Sequence, residues 1–140
     1  MRMTDIDTVL AHEKLVSAYP WNQQNFADSL RVGHEAWVMR EGDDILAWAL
    51  LSRVLDEAEL LLIGVAKSRQ RGGLGRQMMN FVCAWACHAG VTRIFLEVRV
   101  SNVAARGLYA QCGFVQVGCR RNYYPASEGR EDALLLACDL

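Results

Sequence analysis

The chain has 140 residues, of which 52% are hydrophobic and 22% are charged, and its formal net charge is −1. This length and balance are typical of one globular domain, predicted to span residues 1–140. The small net charge argues against a nucleic-acid-binding surface, and no apolar run reaches the ~18 residues that cross a bilayer. The first residues turn acidic at Asp5, which disfavours a secretion signal, so we expect a cytoplasmic protein.

The predicted elements begin with two helices. Thr4 or Asp5 can cap a first helix that runs to about Ala18. The segment Tyr19-Pro20-Trp21 interrupts it, because proline disfavours helix at the preceding residue. Asn22 can cap a second helix that runs to Leu30. Strands are then predicted at 35–40, 45–54 and 58–65, and the last of these is so apolar that we expect it to be buried on both faces.

After residue 70 the hydrophobic period changes from two to about 3.6. Apolar side chains recur at helical spacing from Leu74 to Ala89, and Gly90 suits the position just past the helix end. A strand at 93–99, a helix at 102–112 and strands at 114–123 and 133–139 follow. This order predicts an α/β fold, with a mixed central sheet and helices on both faces.

Residues 70–76 have the sequence Gln-Arg-Gly-Gly-Leu-Gly-Arg, between a buried strand and the long helix. Glycines let the backbone approach a ligand, and a helix start offers unpaired N–H groups and a positive dipole end. Arg71 and Arg76 add positive charge, so the segment predicts a diphosphate site. No Lys-Ser/Thr pair follows, which excludes a Walker loop, and Met78 occupies the third glycine position of a dinucleotide fingerprint. A sharp helix entry without a ligand is the alternative.

Three polar residues follow at positions that suggest chemistry. Glu97 lies in an apolar strand, where a carboxylate is costly unless it faces a cleft or a partner. The alternative for Glu97 is an ion pair with Arg93 or Arg99. Tyr109, in mid-helix, taken by itself, fits a core aromatic residue. Asn102 could simply cap its helix.

Five cysteines lack paired Cys-x-x-Cys spacing. Cys83 and Cys87 would share a helix face with His88, but a metal site needs further ligands. We therefore predict no metal site and interpret the cysteines as small buried side chains kept reduced. The four tryptophans are expected in the core, and Arg120 and Arg121 on a solvated strand face.

Gln70 to Gly75 resembles the Q/R-x-x-G-x-G/A signature by which GNAT acetyltransferases bind the pyrophosphate of acetyl-coenzyme A. Segments 96–102, 104–105, 108–109 and 112–114 follow that superfamily's next strand and helix in order. Segments 19–21, 54–58, 120–125 and 129–133 are similar to bacterial ribosomal-protein-alanine N-acetyltransferases. The chain departs from the superfamily at its start, where the first strand is mostly missing. It also departs at Ala66-Lys67, where Asp-Pro is usual.

The resemblance implies the GNAT fold and transfer of acetyl from acetyl-coenzyme A to the N-terminal alanine of a small-subunit ribosomal protein, by direct attack in a ternary complex. It implies Glu97 as general base, through a water, and Tyr109 as general acid, with the Val65 N–H on the thioester oxygen. Its cofactor-binding residues are Ile63, Gly64, Val65, Arg71, Gly72, Gly73, Leu74, Gly75, Arg76 and Asn102. Acidic candidates for a basic tail are Asp56, Glu57, Glu128, Glu131 and Asp132.

Amine chemistry favours a peptide terminus over lysine. A peptide α-amine is roughly one-tenth neutral at pH 7, whereas a lysine is neutral only about four times in ten thousand. Three alternatives stay open: a GNAT enzyme for another peptide or a small amine, a non-catalytic coenzyme A-binding module, and a nucleotide-binding oxidoreductase. We expect no membrane or direct nucleic acid partner.

Overall fold

The computed structural model describes all 140 residues, and two helices precede the first strand. Helix α1 spans Ile6–Val16 and follows a short 3-10 turn. It ends about two residues earlier than expected because Ser17 is already extended ahead of the Tyr-Pro segment. Helix α2 spans Gln23–Arg31. As predicted, Asn22 caps it, and its side chain accepts the backbone N–H of Asn25 at 2.8 Å.

Six strands form one mixed sheet in the order β1-β2-β3-β4-β6-β5. Their bounds are β1 Glu35–Glu41, β2 Asp44–Val54, β3 Glu57–Val65, β4 Arg93–Arg99, β5 Val115–Pro125 and β6 Arg130–Asp139. Helix α3, Leu74–His88, connects β3 to β4, and α4, Val103–Gln111, connects β4 to β5. Only β3 and β4 are parallel neighbours. The predicted element order and α/β class are confirmed.

The last hairpin is longer than expected. Strand β5 continues to Pro125 and β6 begins at Arg130, because these two residues pair directly. A tight turn closes the hairpin, in which the Ala126 N–H donates to the Gly129 carbonyl at 3.0 Å. None of the helices combines the length and the hydropathy that crossing a membrane requires.

Hydrophobic clusters cover both faces of the sheet. Helices α3 and α4 pack on one face, where the buried side chains include Met79, Val82 and Leu96. Helices α1 and α2 pack on the other face, around Phe26 and Trp48. The other three tryptophans pack partly buried against these clusters, namely Trp21, Trp37 and Trp85. All four tryptophans therefore belong to the core, as predicted. From Ala47 to Leu51 of β2, successive side chains alternate between the two clusters.

Strands β3 and β4 separate after a short pairing. Four residue pairs join them, from Glu57 with Arg93 to Leu60 with Leu96. Beyond Leu60, β3 stays paired with β2, and beyond Leu96, β4 stays paired with β6. A V-shaped gap therefore opens between the carboxyl ends of the two strands. The expectation that β3 is buried on both faces is wrong for its second half, which is only half-buried along this gap.

Candidate active site

A cleft of about 710 Å³ occupies the gap between β3 and β4. Its walls come from both strands, from the end of α1 with the connection that follows it, and from the β5–β6 hairpin. The charged, amide and phenolic side chains that line it are Glu13, Tyr19, Glu97, Arg99, Asn102, Tyr109, Tyr124 and Glu131. Both predicted catalytic residues are in this set, so the fold brings them to one cavity.

The backbone of β3 presents unpaired groups to the cleft. The Ala66 N–H donates to the Leu46 carbonyl of β2 at 2.8 Å. Successive residues of a strand direct their N–H groups to opposite sides. The Gly64 N–H therefore also points toward β2, whereas the N–H groups of Ile63 and Val65 point into the gap. Strand β4 does not pair with this part of β3. An extended ligand can therefore hydrogen-bond to β3 as an added strand.

Gly64 allows β3 to pass directly over a buried indole. A Cβ atom at this position would lie 2.3 Å from Cε2 and Cζ2 of Trp48. Trp48 is fully buried, and its Nε1–H donates to the Glu13 carboxylate at 2.8 Å. Burial raises the pKa of Glu13, and the bond from Trp48 opposes that shift. The indole is thus held in place under the segment that borders the cleft.

The glycine-rich loop lies at the start of α3. Gly73 adopts φ +83° and Arg71 adopts φ +63°, and a positive φ at arginine is uncommon. No hydrogen bond within the chain uses the N–H groups of residues 73–76, and neither Arg71 nor Arg76 forms an ion pair. The fold brings together here the predicted loop residues Arg71, Gly72, Gly73, Leu74, Gly75 and Arg76. This arrangement suits an anion.

Glu97 lies at the point where the two strands separate. It is the first β4 residue beyond the last pair, which Leu96 forms with β3. Its carboxylate contacts Arg120 of β5 at 3.2 Å. The alternative pairing with Arg93 or Arg99 is wrong, because both arginines pair with carboxylates of β6. The expectation that Arg120 lies on a solvated strand face is confirmed, since its side chain is 54% exposed. Strand order nevertheless places this exposed side chain beside Glu97.

Tyr109 and Asn102 both serve the fold and line the cleft. Tyr109 is buried against Phe114, with ring centroids 5.9 Å apart. Its hydroxyl has no hydrogen bond within the chain, and burial raises the pKa of Tyr109 to about 12, so the group stays protonated at neutral pH. The Asn102 side chain caps α4 by accepting the Ala105 N–H at 3.2 Å. Its amide nitrogen remains available to a ligand.

Arg99 forms a cluster that sequence reasoning did not find. Its guanidinium lies 4.0 Å from the ring centroid of Tyr19 and 4.4 Å from that of Tyr124. One guanidinium nitrogen donates to the Pro125 carbonyl at 2.6 Å and to Glu131 at 3.0 Å. Glu131, expected as a partner for a basic tail, is thus occupied within the chain. The alternation of side chains along β4 could have placed Arg99 on the same face as Glu97. No local sequence signal indicated that the rings of Tyr19 and Tyr124 would contact it.

The thiols lie outside the cleft. None of the five cysteines lines it, and all five are free. The expectation that they are buried is wrong, because Cys87 and Cys119 are exposed and the other three are only partly buried. Cys83 packs partly buried against the core under α3, and burial raises the pKa of Cys83 to about 11. A protonated, distant thiol is a poor nucleophile, so the cavity offers no cysteine for a covalent intermediate.

Residues 4–114 match the model of the acetyltransferase (GNAT) family. Over 137 residues the chain is 36% identical to the ribosomal protein bS18-alanine N-acetyltransferase of Escherichia coli (strain K12), covering 98% of this chain and 93% of that relative. The crystal structure of the ribosomal-protein-S18-alanine N-acetyltransferase from Escherichia coli matches with a TM-score of 0.94, over 99% of this chain and 90% of that one. A Bacillus subtilis acetyltransferase in complex with CoA, 21% identical, shares the fold with a TM-score of 0.74 over 84% of each chain.

Proposed function

The chain belongs to the acetyltransferase (GNAT) family, and from that premise we propose that it transfers acetyl from acetyl-coenzyme A to the N-terminal alanine of a small-subunit ribosomal protein. The observation that carries the proposal is one cleft holding a free strand edge, a carboxylate and a protonated phenol. The relative from Escherichia coli, similar over nearly its whole length, is named for this modification of protein bS18. Such an enzyme meets its substrate in the cytoplasm.

The donor site consists of the α3 start and the β3 edge. The free N–H groups of residues 73–76, with Arg71 and Arg76, hold the diphosphate of acetyl-coenzyme A. Its extended arm runs along Ile63 to Val65 as an added strand, and the amide of Asn102 borders it. The complex of the Bacillus subtilis relative with CoA supports a site of this class.

The acceptor amine must lose a proton to react. About one-tenth of a peptide α-amine is neutral at pH 7. In the protonated fraction, the Glu97 carboxylate takes one proton from the ammonium group through a water. The neutral nitrogen then attacks the thioester carbonyl, whose oxygen accepts the Val65 N–H as negative charge develops. The carbon–sulfur bond breaks, and the departing thiolate takes the proton of the Tyr109 hydroxyl. The acylated nitrogen, which still carries one proton too many for an amide, releases it through water, and this proton restores the Tyr109 phenol.

A panel of acceptors tests this proposal. Peptides that begin with alanine, serine or leucine, on one shared basic tail, are incubated with acetyl-coenzyme A beside spermidine, and the products are identified by mass spectrometry. We expect one acetyl group on the α-amine of the alanine peptide, with Glu97→Gln as the inactive control. Faster acetylation of spermidine than of every peptide would assign a small-amine enzyme instead.

A further inference from the structure

Arg99 joins two parts of the chain across the mouth of the cleft. Tyr19 belongs to the connection between α1 and α2, and Tyr124 belongs to the β5–β6 hairpin. The Arg99 guanidinium lies between their rings, at 4.0 and 4.4 Å from the centroids. All three residues line the cleft. We call this set the Tyr-Arg-Tyr bridge.

The bridge is anchored from one side by the hairpin itself. Arg99 donates to the Pro125 carbonyl at 2.6 Å and to Glu131 at 3.0 Å. The same Glu131 oxygen accepts the Ser101 hydroxyl at 3.0 Å. The side chains of Arg99 and Glu131 are only 20% and 17% exposed, so salt screens their pairing weakly. These hydrogen bonds fix the plane of the guanidinium, and the Glu131 carboxylate neutralises its charge.

The bridge lies beside the candidate base. Leu96 and Val98 of β4 face the core under α3 and α4, so Glu97 and Arg99 face the opposite side. Alternate residues of a strand are about 6.6 Å apart. An amine that Glu97 deprotonates therefore places its own side chain near the two rings of the bridge.

We propose that Arg99 is a positioning residue that holds Tyr19 and Tyr124 close together and thereby limits the first residue of the acceptor to a small side chain. The inference rests on the proposed peptide acetylation. The rings cannot move apart without breaking their stacking on the guanidinium. The proposal requires that a methyl group fit beside them and that a leucine side chain force them to separate. Lysine would keep the charge but lose the planar group that both rings contact.

Arg99→Lys tests the role through discrimination between acceptors. The full-length variant is assayed with alanine and leucine peptides on the same tail, and kcat and KM are measured separately. We expect the wild-type ratio of kcat/KM for alanine over leucine to fall at least about tenfold, the size of effect a pocket has on side-chain discrimination. KM for the alanine peptide should rise, while affinity for coenzyme A stays unchanged.

Two controls separate positioning from general damage. Arg93→Lys alters an arginine on the same strand that also pairs with a β6 carboxylate, Asp139, and does not line the cleft, so discrimination should stay at the wild-type value. Tyr19→Leu removes one ring from an exposed connection and should reproduce the loss, whereas Tyr19→Phe keeps the ring and should rescue it.

The outcomes distinguish the two proposals. Unchanged discrimination in both Arg99→Lys and Tyr19→Leu overturns the role of the bridge and leaves the proposed reaction intact. An equal loss with alanine and leucine peptides also overturns it, because damage to folding or chemistry has no preference for side-chain size. Failure of the wild-type protein to acetylate any peptide overturns the proposed function instead.

Discussion

Replacing Gly64 with alanine places a methyl group against an indole that has no room to move. The new Cβ would lie 2.3 Å from two carbons of Trp48, whereas carbon atoms attract best at about 3.5–4.0 Å. The contact is therefore short by roughly 1.2–1.7 Å. Trp48 is fully buried and hydrogen-bonded to Glu13, so the backbone of β3 must shift instead. Overpacking of this kind costs about 1–3 kcal/mol of unfolding free energy.

The displacement also affects the proposed chemistry. Val65 adjoins Gly64, and a shift of about 1 Å in a group that orients the reacting atoms can lower the rate about 10²-fold. We expect Gly64→Ala to lose kcat to that extent, with a smaller change in affinity for coenzyme A, because the loop at residues 70–76 is untouched. Denaturant unfolding measures the first effect, and acetylation of the alanine peptide at saturating substrates measures the second.

Gly107→Ala is the matched control for this substitution. Gly107 lies inside α4, and a methyl group added there meets no atom within 4 Å, so alanine should add about 0.5–1 kcal/mol of stability. Wild-type stability and wild-type kcat in Gly64→Ala would refute the packing argument. A loss of stability without any loss of kcat would show that the backbone of residues 63–65 does not bind the thioester.

Three further substitutions test the site. Gly73→Val should abolish binding of coenzyme A in calorimetry. Gly33→Val is the matched control, since Gly33 has the same φ of +83° and equally has no atom within 4 Å of an added Cβ, and it should keep the affinity. Equal affinity in both variants would contradict the loop assignment. Glu97→Gln should lose about 10²–10⁴ in rate, with a deficit that shrinks as pH rises and more amine is neutral, so a pH-independent deficit would mark a structural role. Tyr109→Phe should lower kcat with little change in coenzyme A affinity, and equal losses would mark packing. Because the pKa of Tyr109 rises from 10.0 to about 12 on folding, the folded state binds more protons and stability falls as pH rises between these values. The raised pKa of Cys83 acts in the same direction, so Tyr109→Phe should lessen the fall in alkaline unfolding curves without abolishing it.

Local signals in the sequence were enough to predict most elements. The predicted bounds of β4, Arg93 and Arg99, are confirmed, and Asn22 marked the start of α2. Gly90 follows α3 with φ +81°, as a residue just past a helix end does. Each of these features depends on neighbours within a few residues, which is why one sequence reveals them.

The contacts that shape the cleft depend on strand order, which no local pattern encodes. Arg120 reaches Glu97 because β6 lies between β4 and β5 in the sheet. Tyr19 and Tyr124 meet at Arg99 only after the hairpin folds back over the cleft. The pairing of β5 with β6 also shifts in register between Arg120 and Tyr124. An irregularity of this kind changes which side chains meet and leaves no periodic trace.

The short pairing of β3 with β4 has a consequence for the lifetime of the protein. Four residue pairs join the two halves of the sheet, so this seam is where native-state opening should cost least and amide hydrogens should exchange soonest. In the proposed complex, the donor molecule bound as an added strand would close the seam. At a concentration 100 times its dissociation constant, such a ligand adds about 2.7 kcal/mol to the unfolding free energy. We therefore expect resistance to proteolysis to rise with the concentration of acetyl-coenzyme A, so that the enzyme would persist longest in cells that have acetyl groups to transfer.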